Sequence, residues 1–263
     1  MSPAAHRPAA PRASRPSWEL IELPDAASVS EQVAARLLAE RRFQPEQPLG
    51  LATGRTMEPV YAALVRQLSL LPEAEQERLR ERWLSFNLDE YVGLASDAPG
   101  SFGRAMQEQL VRPLGLDPQR VCLPNGLAPD AELEARRYAE QLNAAGGIGL
   151  QLLGLGLNGH IGFNEPPCSA EEACRCVELC AITRKANASA FGGDPAAVPR
   201  RAITLGLREI LAARSILLVV TGRAKARVLQ RLLQEPANPE LPASWLRTHP
   251  AVTVYADRAA CLT

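Results

Sequence analysis

Apolar and polar positions along the chain alternate between strand-like and helix-like spacing. Residues 18–23 alternate polar and apolar side chains, which predicts a strand near a sheet edge. Residues 28–42 carry apolar side chains at helical spacing, with Ser28 or Ser30 as the predicted cap. Later strands are predicted at 48–53, 82–88, 120–123, 148–155, 201–207, 215–221 and 251–255, and later helices at 57–68, 101–114, 130–144, between 207 and 215, and from 222 onward. This alternation predicts an α/β fold of three layers, with a Rossmann-like, mostly parallel sheet between helices.

The most informative stretch is the apolar run 148–155 and the loop that follows it. A nearly unbroken apolar run is typical of a parallel strand buried on both faces, and ligands bind beyond the carboxyl ends of such strands. The loop contains Asn158, His160 and Glu165 among glycines. His160 is a candidate acid or base, with Glu165 expected to hold one ring nitrogen. A histidine with a purely structural hydrogen bond is the alternative.

The turn formed by Thr53, Gly54, Arg55 and Thr56 follows the second predicted strand and precedes a helix. Free backbone N–H groups and the helix dipole favour phosphate at such a position. The two hydroxyls and the guanidinium add further donors. The turn is not a Walker loop, because no lysine precedes the second threonine. An ordinary strand–helix turn is the alternative.

Two adjacent carboxylates, Asp89 and Glu90, follow the third predicted strand. Mutual repulsion can raise the pKa of one of them, as a general base near neutral pH requires. The alternative is a helix-capping aspartate beside a solvated glutamate. Together, the three loops suit a phosphorylated substrate and proton-transfer chemistry.

Composition narrows the classes of partner. The 263 residues hold 29 Lys+Arg and 29 Asp+Glu, so the overall charge favours neither nucleic acid nor an anionic membrane. Residues 1–16 are rich in proline and arginine and are predicted to form a disordered tail before one domain at 17–263. No apolar run reaches the length of a membrane span.

Six cysteines include four between positions 168 and 180, but their spacing matches no common zinc pattern. Reduced thiols are therefore expected, without a metal or other cofactor, in a cytoplasmic protein. The sequence is compatible with a monomer and with a homo-oligomer.

Three motifs carry a resemblance to a known family: L-G-L-A-T-G-R-T from Leu49, F-N-L-D-E-Y-V-G-L from Phe86, and G-L-N-G-H-I-G-F-N-E-P from Gly156. From about Trp18 to the C-terminus the chain resembles the glucosamine-6-phosphate deaminases, which share their fold with the 6-phosphogluconolactonases. The resemblance implies metal-free conversion of glucosamine 6-phosphate and water into fructose 6-phosphate and ammonia. It further implies that His160 opens the sugar ring with help from Glu165, and that Asp89 moves the proton between C2 and C1.

Two positions depart from the family pattern. Many members have aspartate where this chain has Asn158, which can still orient His160 through a hydrogen bond. Members usually have a phosphate-binding arginine at the position of Ser189, so Arg55 is expected to replace that cation beside Lys225. The allosteric cluster of enteric-type members is not found between 168 and 180, and activation by an acetylated amino-sugar phosphate is not predicted.

Three other activities remain open. A galactosamine 6-phosphate enzyme is the nearest, because related proteins also have asparagine before G-H and a P-A-S segment like residues 242–244. A 6-phosphogluconolactonase would leave Asp89 and Glu165 unexplained. A non-catalytic sugar-phosphate sensor shares the fold, but this chain has no DNA-binding module.

Overall fold

A parallel sheet of seven strands forms the centre of the computed structural model, which describes residues 17–262. The strands β1 to β3, β5, β6, β9 and β10 span Ser17–Leu23, Leu49–Leu51, Ser85–Asn87, Val121–Cys122, Leu150–Gly154, Ser215–Val220 and Ala251–Asp257. Their spatial order is β1-β10-β9-β6-β2-β3-β5, with every pair parallel. The predicted edge position of β1 is confirmed. The predicted tail at residues 1–16 lies outside the described residues.

Helices flank this sheet, so the predicted three-layer α/β fold is confirmed. The helices α1 to α10 span Ala26–Phe43, Glu58–Ser69, Glu73–Glu81, Phe102–Met106, Arg112–Leu114, Ala131–Ala144, Ala181–Asn187, Leu207–Leu211, Ala226–Gln234 and Arg258–Cys261. A π-helical turn, Gln107–Val111, joins α4 to α5, so the predicted helix at 101–114 is nearly continuous. Short 3₁₀ turns lie at Pro118–Arg120, Ala188–Phe191, Arg223–Lys225 and Pro242–Thr248.

Two local predictions about helices were wrong or incomplete. The cap of α1 is Asp25, whose carboxylate accepts from the backbone N–H of Ser28 at 2.7 Å, rather than Ser28 or Ser30. Helix α3 was not predicted. It has one buried side chain, Leu79, and is otherwise rich in charged residues, so it lacks the apolar stripe by which a packed helix is found in a sequence.

A second, three-stranded antiparallel sheet departs from the prediction of a single parallel sheet. It comprises β4 (Asp89–Tyr91), β8 (Arg201–Thr204) and β7 (Arg175–Glu178), with β8 in the middle. The predicted strand at 201–207 therefore leaves the main sheet and pairs with β4. A compact aromatic cluster fixes this sheet to the loop after β6, with Tyr91, Phe102 and Phe163 in mutual contact.

The core lies on both sides of the main sheet, and the strands β6 and β9 are almost entirely buried, as their apolar runs predicted. Within residues 17–262, no helix is long and apolar enough to cross a membrane. Nor do three or more histidine, cysteine or acidic side chains of that part of the chain gather as metal ligands would.

Candidate active site

The three candidate loops and the loop after β9 lie at one edge of the main sheet. Strands β9, β6, β2 and β3 are adjacent and parallel, so their carboxyl ends lie side by side. The chain leaves them toward Lys225, His160, Arg55 and Asp89, respectively. The order of the strands therefore brings the three candidate loops together, and the β9 loop joins them.

The His160 loop is a tight turn that depends on two glycines. Gly156 donates its N–H to the carbonyl of His160 at 2.9 Å, and Gly159 donates to the carbonyl of Gly156 at 3.0 Å. A Cβ at Gly156 would lie 2.4 Å from atoms of the imidazole, so the ring packs directly over that backbone. Gly159 has φ +85°, and a Cβ there would lie 2.2 Å from the side chain of Leu241. The loop therefore presents the imidazole in one place.

The imidazole of His160 is neutral at physiological pH. Burial lowers its pKa to about 4, with the Glu165 carboxylate opposing the shift and the Lys225 ammonium adding to it. Its Nδ1 atom is buried without a hydrogen-bond partner among the residues that the structure describes. A neutral ring with a free nitrogen can accept a proton at one position and donate at the other.

Asn158 and Glu165 do not make the contacts with the imidazole that were expected. The Oδ1 atom of Asn158 accepts from the backbone N–H of His160 at 3.3 Å, so it orients the loop rather than the ring. Glu165 accepts from the backbone N–H of Cys180 at 2.9 Å, from its Sγ at 3.0 Å, and from the hydroxyl of Thr183. The expected hydrogen bond from Glu165 to the ring is therefore wrong for this arrangement, although the carboxylate still influences the pKa of His160.

Asp89 and Glu90 differ sharply in their surroundings, although both are buried. Glu90 accepts from the backbone N–H groups of Tyr91, Phe102 and Gly103 at 2.8, 3.0 and 2.7 Å, so it caps the start of α4. Asp89 has no donor to its carboxylate among the described residues. Burial and then the charge of Glu90 raise the pKa of Asp89 to about 8. The predicted elevation is confirmed, and the alternative with Asp89 as cap and a solvated glutamate is wrong.

Asp89 lies against the His160 loop. Its Oδ2 atom is 3.6 Å from the place where a Cβ at Gly162 would sit, and the hydroxyl of Thr204 is 3.1 Å from the same point. The Thr204 hydroxyl also accepts from the backbone N–H of Phe163 at 3.2 Å. The two candidate acid–base groups are thus held on facing segments, and Thr204 is a connecting residue that sequence reasoning missed.

The predicted phosphate turn is open to solvent. Gly54 and Arg55 are exposed, Thr53 and Thr56 are partly buried, and Gly54 has φ +109° with no atom within 4 Å of an added Cβ. Burial lowers the pKa of Lys225, and the nearby charge of Arg55 lowers it further. Two cations that repel each other across an open turn form a suitable anion site. Ser189, by contrast, is exposed on a 3₁₀ turn.

Two further residues of the site were not found from the sequence. They are Cys180 and Thr183, which hold Glu165 through hydrogen bonds. No local pattern marks them, since their roles depend on how the segment after Glu165 folds back over the loop.

The fold and this edge define a mainly parallel α/β protein in which a neutral histidine, buried carboxylates and two cations lie on loops at the carboxyl ends of adjacent strands. The chain belongs to the family described as glucosamine-6-phosphate isomerases/6-phosphogluconolactonase, whose model matches residues 24–255. The match covers most of the chain, and similar proteins over most of its length support the same membership.

Two similar proteins are named glucosamine-6-phosphate deaminase. One, from Geobacillus sp. (strain WCH70), is 40% identical over 92% of this chain and 94% of its own length. Another, from Rhodopirellula baltica, is 42% identical with the same coverage. A solved monomeric glucosamine-6-phosphate deaminase superposes with a TM-score of 0.85 at 38% identity, over 92% of this chain and 98% of that one. A 6-phosphogluconolactonase from Thermotoga maritima, at 20% identity and a TM-score of 0.71 over 92% of this chain and 100% of that one, shares the fold.

Proposed function

We propose that this protein converts glucosamine 6-phosphate and water into fructose 6-phosphate and ammonia. The observation that carries the proposal is a neutral, partly unpartnered imidazole on a loop against which the buried Asp89 carboxylate lies, with the pKa of that carboxylate raised to about 8. The names of the relatives that cover over 90% of the chain support the same reaction. As a hydrolase acting on a C–N bond, it would serve the catabolism of amino sugars, including N-acetylglucosamine, in the cytoplasm.

Ring opening is assigned to His160. The step breaks the bond between C1 and the ring oxygen, moves a proton from the C1 hydroxyl to that oxygen, and leaves an aldehyde. A neutral imidazole can take the proton from the C1 hydroxyl and then give a proton to the ring oxygen, which leaves the imidazole neutral again. Glu165 would assist by stabilising the transient imidazolium, since its carboxylate already opposes the fall in the pKa of His160. Asn158 would hold the backbone of the loop in place.

Isomerisation is assigned to Asp89. The carboxylate removes the proton from C2 of the open chain while one proton of the C2 ammonium passes to the C1 oxygen, which gives an enolamine. Return of the first proton from Asp89 to C1 then leaves an iminium at C2. Water adds to that carbon and ammonia departs, giving the ketose. Asp89 must be ionised to act, and the substrate ammonium on C2 would favour its ionised form in the complex. Such proton transfers contribute about 10² to 10⁴ in rate.

Phosphate binding is assigned to Thr53, Gly54, Arg55, Thr56 and Lys225. The exposed Gly54 lets an oxyanion approach the backbone, and the two cations lie within electrostatic reach of each other. With Ser189 exposed at the position where relatives usually have arginine, Arg55 would supply the second positive charge.

A substrate panel tests this proposal. The protein is incubated separately with glucosamine 6-phosphate, galactosamine 6-phosphate and 6-phosphogluconolactone, while ammonia, ketose phosphate and acid are measured. Ammonia from the first substrate alone, or at much higher kcat/KM, is expected. Preference for the galacto epimer, or acid release from the lactone, would overturn the proposal. Thermal stabilisation by a sugar phosphate without turnover would identify a sensor.

A further inference from the structure

The hydrogen-bond donors to the Glu165 carboxylate lie in the segment that begins α7. Its Oε2 atom accepts from the backbone N–H of Cys180 at 2.9 Å, and its Oε1 atom accepts from two side chains, the Cys180 thiol at 3.0 Å and the Thr183 hydroxyl. Thr183 is buried, whereas Cys180 and Glu165 are partly exposed. The carboxylate also opposes the fall in the pKa of His160, whose Nδ1 atom is buried without a partner among the described residues.

We propose that Cys180 and Thr183 are positioning residues that set the place of Glu165 relative to His160 during ring opening. This inference rests on the function proposed above. The backbone donor fixes one carboxylate oxygen, while the two side-chain donors fix the rotation of the carboxyl group about its last bond. These donors keep the Oε1 atom directed toward α7. The carboxylate remains near enough to the imidazole of His160 to affect its pKa.

The two side-chain donors differ in strength. A thiol is a weak donor and a hydroxyl a stronger one, so Thr183 contributes most of the restraint and Cys180 the smaller part. Because the thiol is partly exposed, it is also the donor that is easier to lose. Replacing Thr183 should therefore affect turnover more than replacing Cys180, and serine at either position should restore a donor of adequate length.

The kinetic test compares Thr183→Val, Thr183→Ser, Cys180→Ala and Cys180→Ser with the wild-type protein. We expect Thr183→Val to lower kcat on the order of 10- to 100-fold, Cys180→Ala to lower it less, and both serine variants to remain near wild type. KM and the affinity for an open-chain amino-alcohol phosphate, which has no ring to open, should stay constant. Cys176→Ala is the matched control, because Cys176 is a partly exposed cysteine of β7 that makes no hydrogen bond to Glu165.

A second test is independent of turnover. Thermal unfolding is measured for Thr183→Val, Glu165→Ala and the double variant. Substitutions of two side chains that contact each other have non-additive effects on stability. The double variant should therefore have a melting temperature no lower than that of the less stable single variant. Additive losses, or wild-type kcat in Thr183→Val, would overturn the inference. Wild-type protein without deaminase activity would instead overturn the proposed function, while the unfolding cycle would still decide whether these contacts exist.

Discussion

Replacing Asp89 with asparagine separates the stability of this protein from its proposed activity. The carboxylate is 6% exposed, has no hydrogen-bond donor within the described part of the chain, and lies beside Glu90. Asparagine keeps the shape and removes the charge. We therefore expect Asp89→Asn to be more stable than wild type at alkaline pH and to lose turnover by about 10² to 10⁴.

The magnitude follows from the pKa. The folded protein holds the Asp89 proton up to about pH 8, whereas the unfolded chain loses it near 3.8. Between these values the folded state binds the extra proton, so stability falls as the pH rises through this window and the loss is complete above about pH 8. Each pKa unit is worth about 1.4 kcal/mol, so the unfavourable ionisation costs several kcal/mol, ~6 kcal/mol at most. The asparagine variant escapes this cost.

Urea unfolding between pH 4 and pH 9 measures the effect. Wild type and Asp89→Asn should be similar at pH 4 and diverge steadily toward pH 8, with the variant more stable. Glu90→Gln is the matched control: its carboxylate accepts from three backbone N–H groups, so this variant should be less stable than wild type at pH 8. Parallel pH curves for wild type and Asp89→Asn would refute the reasoning.

Four other substitutions test the remaining parts of the site. Gly156→Ala should lower kcat at least tenfold with little change in KM, because the added methyl would meet the His160 ring at 2.4 Å; unchanged kcat would show that the ring can move freely. Arg55→Ala should weaken phosphate affinity about tenfold, and adding Ser189→Arg to that variant should partly restore it. Calorimetry with inorganic phosphate measures both affinities, and an unchanged affinity in Arg55→Ala would exclude a role for Arg55. Asn158→Asp should preserve or raise turnover in a steady-state ammonia assay, since a carboxylate can accept the same backbone N–H, and a collapse would exclude the orienting role.

The sequence predicted the main sheet well because its strands are short apolar runs between helices with clear periodicity. The antiparallel sheet was missed since β4 reads D-E-Y and β7 reads R-C-V-E, and neither shows the apolar alternation of an ordinary strand. Both are stabilised by pairing with β8 and by the aromatic contacts of Tyr91. These are contacts between distant parts of the chain, which local patterns do not reveal.

The candidate site, like the fold, was predicted only in part. Loop composition and position directly after a predicted strand were enough to select His160, Asp89 and the turn around Arg55 as candidates. The orientation of Glu165 was not predictable, because its donors lie 15 and 18 residues further along the chain. The separate roles of Asp89 and Glu90 also depend on α4, whose first two backbone N–H groups donate to Glu90 and not to Asp89.

The most direct test of the central claim follows the reaction by NMR in deuterium oxide. Wild-type protein with glucosamine 6-phosphate should give fructose 6-phosphate and ammonia in equal amounts, with the proton from C2 carried to C1 or exchanged for deuterium there. In Asp89→Asn, the loss of the C2 proton and the release of ammonia should fall together. Unchanged C2 exchange in that variant, or ammonia release without ketose formation, would contradict the account.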